Sequence, residues 1–174
     1  MEEPTREALE RGREFLAQRR KRLARLIQRP LDPPTGSGDL SEDRRSFLLE
    51  EAQELYWNEL SWEQVTEEEG VSESGLVELT FPGFLAFTEG LLLKEVMPDS
   101  QAPARPRPEV VEDILLFLAT RCVQLQGLDD EEARVERAVT IRLIDLVLYR
   151  QHDVDVEEAE QLEEGAGLHE ADES

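Results

Sequence analysis

Residues 108–151 limit the possible folds of this chain more than any other stretch. They read PEVVEDILLFLATRCVQLQG and then LDDEEARVERAVTIRLIDLVLYRQ. In the first half Val110, Val111, Ile114, Leu115, Leu116, Phe117 and Leu118 are too dense for one stripe. A helix that is apolar on more than one side belongs at the centre of a structure. Pro108 is suited to the first helical turn, and Gly127 closes the helix. In the second half Asp129 or Asp130 supplies the N-cap, and the acids behind it match the positive end of the helix dipole. A connection this short makes the two helices antiparallel neighbours.

The other segments are helical too. SEDRRSFLLEEAQELYWNEL, from Ser41, places Phe47, Leu48, Ala52, Leu55 and Tyr56 on one stripe. A short helical turn is expected over 61–69. VSESGLVELT alternates briefly like a strand, but an isolated strand has nothing to pair with, so it is read as loop. TFPGFLAFTEGLLLKEVMP reads as a helix with Pro82 in its first turn. Gly90 inside that helix is a cost that close helix packing would offset. Residues 30–40, rich in Pro and Gly, and 98–108, rich in Pro, read as linkers.

The 174 residues carry 41 acidic side chains against 19 Lys and Arg, a formal net charge of -22. That surface repels phosphate backbones and attracts basic partners. The charge is unevenly placed. Residues 1–30 hold nine Lys or Arg against five Glu, a net of +4 that leaves -26 to the rest. Within this basic segment Leu9, Leu16, Leu23 and Ile27 fall on one helical stripe, widened by Phe15 and Leu26. Gly12 and Arg19 interrupt a heptad seam, which argues against a parallel coiled coil. Lys21, Arg22, Arg25 and Arg29 project from the opposite side.

Four destinations compete for this amphipathic helix: its own body, the acidic body of another copy, nucleic-acid phosphates, and a membrane surface. The last is weakest, because the stripe lacks Trp and an acidic body is repelled by anionic lipid. Phosphate binding is weakened by the acidic body and by the absence of aromatic residues between the arginines.

Motifs for chemistry are scarce. There is one cysteine, Cys122, so an intramolecular disulfide and a cysteine zinc cluster are excluded. His152 and His169 are the two histidines. HDVDVEE, from His152, lacks the glycine and terminal glutamate of a calcium loop and reads as an acidic tail. No GxGxxG, P-loop, GxSxG or HExxH pattern occurs. Asp113 and Asp145 stand in apolar runs, where a carboxylate needs a partner. Arg121 and Arg142 are the natural candidates for a buried ion-pair role. Tyr56, Trp57 and Trp62 cluster near one helix end, as core anchors or as a protein-contact hot spot.

The expectation is an all-α protein: an irregular bundle of four or five helices, with a basic N-terminal helical arm and an acidic, partly disordered C-terminal tail. The arm covers 1–29, a Pro/Gly linker 30–40, the helical core 41–151 and the tail 152–174. No charged leader precedes an apolar stretch and no run is long enough to span a membrane, so a soluble, cytoplasmic protein is expected. No catalytic, metal or cofactor residue is assigned. The expected function is non-enzymatic, an interaction or assembly protein that self-associates. Leu16, Leu23 and Ile27 would make contact, and Arg22, Arg25 and Arg29 would supply attraction. A homo-oligomer or another protein is the expected partner. The alternative is a nucleic-acid-associated regulator using the same arginines.

Overall fold

The structure, a computed structural model, describes residues 5–32, 40–60, 73–92 and 107–166. The linker stretches 33–39 and 98–106, the expected turn over 61–69, Trp62 and His169 lie outside the described residues. Among the described residues the secondary structure is all helical. The described residues form seven helices: α1 (Arg6–Ile27), α2 (Glu42–Glu59), α3 (Glu73–Thr80), α4 (Pro82–Leu92), α5 (Pro108–Gln126), α6 (Glu131–Gln151) and α7 (Val156–Ala166). No described helix is long and apolar enough to cross a membrane.

Short polar side chains set where the helices start. Thr5 Oγ1 accepts from the Ala8 amide at 3.1 Å, Ser41 Oγ from Arg44 at 3.1 Å and Asp130 Oδ1 from Ala133 at 2.7 Å. Each satisfies an amide that the first helical turn leaves without a partner. The α4 N-terminus is capped from another helix: Glu59, the last residue of α2, accepts from Gly83 at 2.6 Å and from Phe84 at 2.8 Å. A carboxylate there also meets the positive end of the helix dipole. α1 ends at Gln28, which takes a left-handed φ of 56° while its amide returns to Ala24 and Arg25.

α5 is the centre of the molecule. It pairs with α6 across the turn at Gly127 and also touches α1, α2 and α4. Val110, Val111, Ile114, Leu115, Leu118 and Ala119 are fully buried in the same core as Leu143, Ile144 and Val147 of α6. Each such aliphatic side chain contributes roughly 1.5–3 kcal/mol of burial.

Two readings of the sequence are corrected. Glu73–Thr80 is a helix, not a loop. Val77, Thr80 and Phe81 share a face and are buried against the core, whereas Leu79 points outward; the apparent alternation is too short to hold a strand. Among the described residues nothing lies within 4 Å of where a Cβ on Gly90 would stand, so no close packing among them requires it. The tight approach is at Gly12. There a Cβ would lie 3.0 Å from the backbone of Thr120 and closer still to its Oγ1. The glycine that interrupts the heptad seam is where α1 crosses α5.

Candidate functional site

α1 packs chiefly on α5 and also meets α7. Of the residues expected to make contact, Leu16 and Leu23 are buried, together with Leu26. Ile27 is partly buried against the same core. The helix therefore lays its apolar stripe on the body of its own chain.

Its arginines do not all face outward. Arg22, expected on the polar side, is 6 % exposed, with Nη1 3.9 Å from the Asp145 carboxylate. α1 is covered from more than one direction, so it buries a wider arc than a single stripe. Arg19 makes a two-pronged contact with the same carboxylate: Nε donates to Asp145 Oδ1 at 3.0 Å and Nη2 donates to Oδ2. Arg20, one residue on, is also buried. It donates from Nη2 to Glu112 Oε2 at 2.6 Å and to Gln151 Oε1 at 2.9 Å, and from Nε to His152 Nε2 at 3.1 Å. Accepting at Nε2 places the His152 proton on Nδ1. Gln151 Nε2 in turn donates to Glu112 at 2.9 Å, which closes the network. Arg29 is exposed and donates to the His152 carbonyl at 2.5 Å. Arg25 is exposed.

The ion-pair candidates are each placed. Asp113 is gripped by Arg45 of α2, Nε to Oδ2 at 2.6 Å and Nη2 to Oδ1 at 2.9 Å. That hydrogen bonding holds the Arg45 guanidinium above its ordinary pKa. Asp145 takes Arg19. Arg121 takes Glu136, Nε to Oε2 at 2.7 Å and Nη2 to Oε1 at 3.0 Å, and lies 5.0 Å over the Trp57 ring. Arg142 is half-buried on α6. The partners of both aspartates come from helices far away in the sequence, because α1 and α2 flank the hairpin that carries the two carboxylates.

Glu136 had no assigned role, yet it lies at the centre of the buried polar cluster. It also accepts from the Tyr56 hydroxyl at 2.6 Å, and that hydroxyl is 2.8 Å from Thr140 Oγ1. Burial, then the Glu136 charge, pushes the Tyr56 phenol well above its ordinary pKa. Its signal was available in the periodicity: Ala133, Glu136, Thr140, Leu143 and Val147 recur on one helical face. Arg19 carried a weaker signal, its place on the interrupted heptad seam, and Arg20 carried none.

His152 and Asp155, from the stretch read as an acidic tail, serve structural ends. His152 accepts from Arg20, while Asp155 accepts from the Glu157 and Glu158 amides at 2.9 and 3.3 Å and caps α7. Ala159 then inserts into the core. Among the described residues no group of three or more His, Cys, Asp or Glu is placed to hold a metal ion. Burial pushes the Cys122 thiol up to about 12, which leaves it a weak nucleophile at neutral pH. The site is thus a seat for a helix, in which arginines are matched to carboxylates on a bundle.

No family model, no curated protein and no solved structure matches this chain.

Proposed function

We propose that this chain is a non-enzymatic interaction and assembly protein that self-associates by exchanging α1 between copies. The observation that carries this reading is the charge complementarity of the seat. Arg19 and Arg20 on the helix meet Asp145 and Glu112 on the body, with Leu16, Leu23 and Leu26 between them and the core. A two-fold exchange reproduces every one of these contacts across copies. The strongly acidic remainder of the surface suppresses less specific association.

The test uses two charge reversals, Arg19→Glu and Asp145→Arg, with mass read by light scattering and folding by circular dichroism. In an exchanged dimer of the two variants, the reversed helix of the first meets the reversed body of the second, so opposite charges face each other again. The other seat of that dimer is native. The native chain is expected to be a dimer, each variant alone to lose dimer mass, and their equimolar mixture to recover it. A monomeric native chain, or a mixture that behaves as the average of its parts, would overturn the reading.

The second reading is a nucleic-acid-associated regulator. It is favoured by the exposed Arg6, Arg13, Lys21 and Arg25 on the outer side of α1. It predicts salt-sensitive binding to DNA or RNA that is lost in a Lys21→Glu, Arg25→Glu variant of unchanged mass.

A further inference from the structure

The seat of α1 is fastened by groups of two kinds. Asp145 and Glu112 hold Arg19 and Arg20 by charge. His152 holds Arg20 by a lone pair, its Nε2 accepting from Arg20 Nε at 3.1 Å. Imidazole is the side chain that ordinarily changes charge between pH 5 and 8, and His152 is the one histidine among the described residues. The ring is half-buried, so protons reach it. Arg20 is 6 % exposed and has little water to turn to while α1 is seated.

The charges around the ring are mixed. α1 presents Arg20 to Nε2, and Arg29, just past its end, donates to the His152 carbonyl at 2.5 Å. α5 contributes Glu112, whose Oε2 is already taken by Arg20 at 2.6 Å and by Gln151 at 2.9 Å. On α6, Arg150 is engaged by Glu78 of α3 and Glu89 of α4. In the link to α7, Asp153 is exposed and Asp155 accepts the Glu157 and Glu158 amides; α7 itself brings Glu157, Glu158 and Glu160. These acids and the C-terminal end of α6 favour a proton on the ring. Arg20 opposes it by direct contact. A proton on Nε2 removes the acceptor and sets two cationic donors against each other. That contact outweighs the others, because a bond to a charged group is lost and a repulsion is gained where little water screens it.

From this geometry we infer that protonation of His152 unlatches the C-terminal half of α1, so that the seat holds at neutral pH and loosens in mild acid. Released, an imidazole takes a proton near pH 6.5; seated, Arg20 excludes it. The latch is therefore complete above about pH 6.5 and weakens up to about tenfold for each unit below. It acts on the seat whether α1 rests on its own body or on that of another copy. As a control of assembly it rests on the exchange of α1 proposed for this chain.

The experiment follows amide hydrogen exchange of the full-length chain by mass spectrometry at pH 7.5 and 5.5, each rate taken relative to an unstructured peptide at the same pH. Protection over residues 16–27 is expected to fall about tenfold, while α2 changes by less than about twofold. His152→Gln keeps an oxygen acceptor that does not titrate, and its α1 protection should not change with pH. His152→Ala removes the acceptor, so its α1 protection should be low already at pH 7.5 and equally flat. Circular dichroism checks the helix content of both variants. Unchanged α1 protection in the native chain would overturn the latch. So would an equal fall in His152→Gln, which puts the proton on a carboxylate, or an equal fall in α2, which makes the effect global. Mass by light scattering at both pH values is a separate readout. A monomer at pH 7.5 would overturn the exchange of α1 and leave the latch to be decided by protection. A dimer lost at pH 5.5 in the native chain and kept in His152→Gln would support both.

Discussion

α1 and α2 rest on the same central helix and are held there by different chemistry. α2 inserts Tyr56 into an aromatic cluster. The ring stacks on Phe81 at 5.5 Å and meets Phe84 and Phe117 edge to face. α1 inserts leucines too, but flanks them with Arg19, Arg20 and Arg22, whose partners are carboxylates on α5 and α6. α2 adds one ion pair at a more exposed edge, Arg45 on Asp113. Its attachment depends mainly on shape and apolar area, whereas that of α1 depends on shape plus several buried opposite charges. The difference teaches how an acidic body keeps a basic helix: the charge match identifies the seat, and the leucines make it hold.

Tyr56→Ala should do the most damage. It removes the centre of the aromatic cluster and leaves Glu136 without its hydroxyl donor, and a loss of roughly 3–5 kcal/mol is expected in urea unfolding. That loss should be the same at low and high salt. Asp145→Asn attacks the other side, leaving Arg19 and Arg22 without their anion, at a cost of roughly 2–3 kcal/mol. Here the loss should shrink as salt rises. Equal salt dependence for the two variants would break the comparison.

Alkaline pH offers a second way to separate the two sides. Tyr56 titrates near 10.0 in the unfolded chain and well above that when folded. The folded state holds the proton more tightly, so this contribution is complete below about pH 10 and is lost as pH rises beyond it. Tyr56→Phe should therefore lose melting temperature less steeply than the native chain above about pH 10. A parallel decline would remove the role given to the buried phenol.

The smallest expected effects come from two glycines with opposite surroundings. Gly12→Ala drives a methyl into Thr120, and the overpacking should cost about 1–3 kcal/mol, offset in part by better helix propensity. Gly90→Ala meets open space and should stabilise the fold by roughly 0.5–1 kcal/mol. Opposite signs in thermal melts are the expected result.

Much of the framework was legible in the chain. Pro108, Gly127 and Asp130 bracket the α5–α6 hairpin, and the density of apolar residues in ILLFLA marks the helix that others cover. The leucine stripe of α1 was equally plain. Its arginine partners were not. Arg19 reaches Asp145 across 126 positions and Arg20 reaches Glu112 across 92, and helical periodicity carries no information at that range. The roles of the two glycines were reversed for the same reason, since what crosses a helix at a glycine is set by tertiary packing. α3 was missed because the four residues Val77–Thr80 satisfy both a strand and a helix, and burial of Val77 and Phe81 decides between them.

The long reach of those arginines has a consequence for biosynthesis. α1 leaves the ribosome well before Glu112, and Asp145 and His152 come later still. For most of translation the basic helix has been made and its seat has not. Its leucines must stay out of premature contacts over that interval, and the closely spaced arginines at 19, 20 and 22 keep the segment hydrated and mutually repelled while it waits. Of the described helices, α1 is made before the carboxylates that seat it and is among the last to find its place.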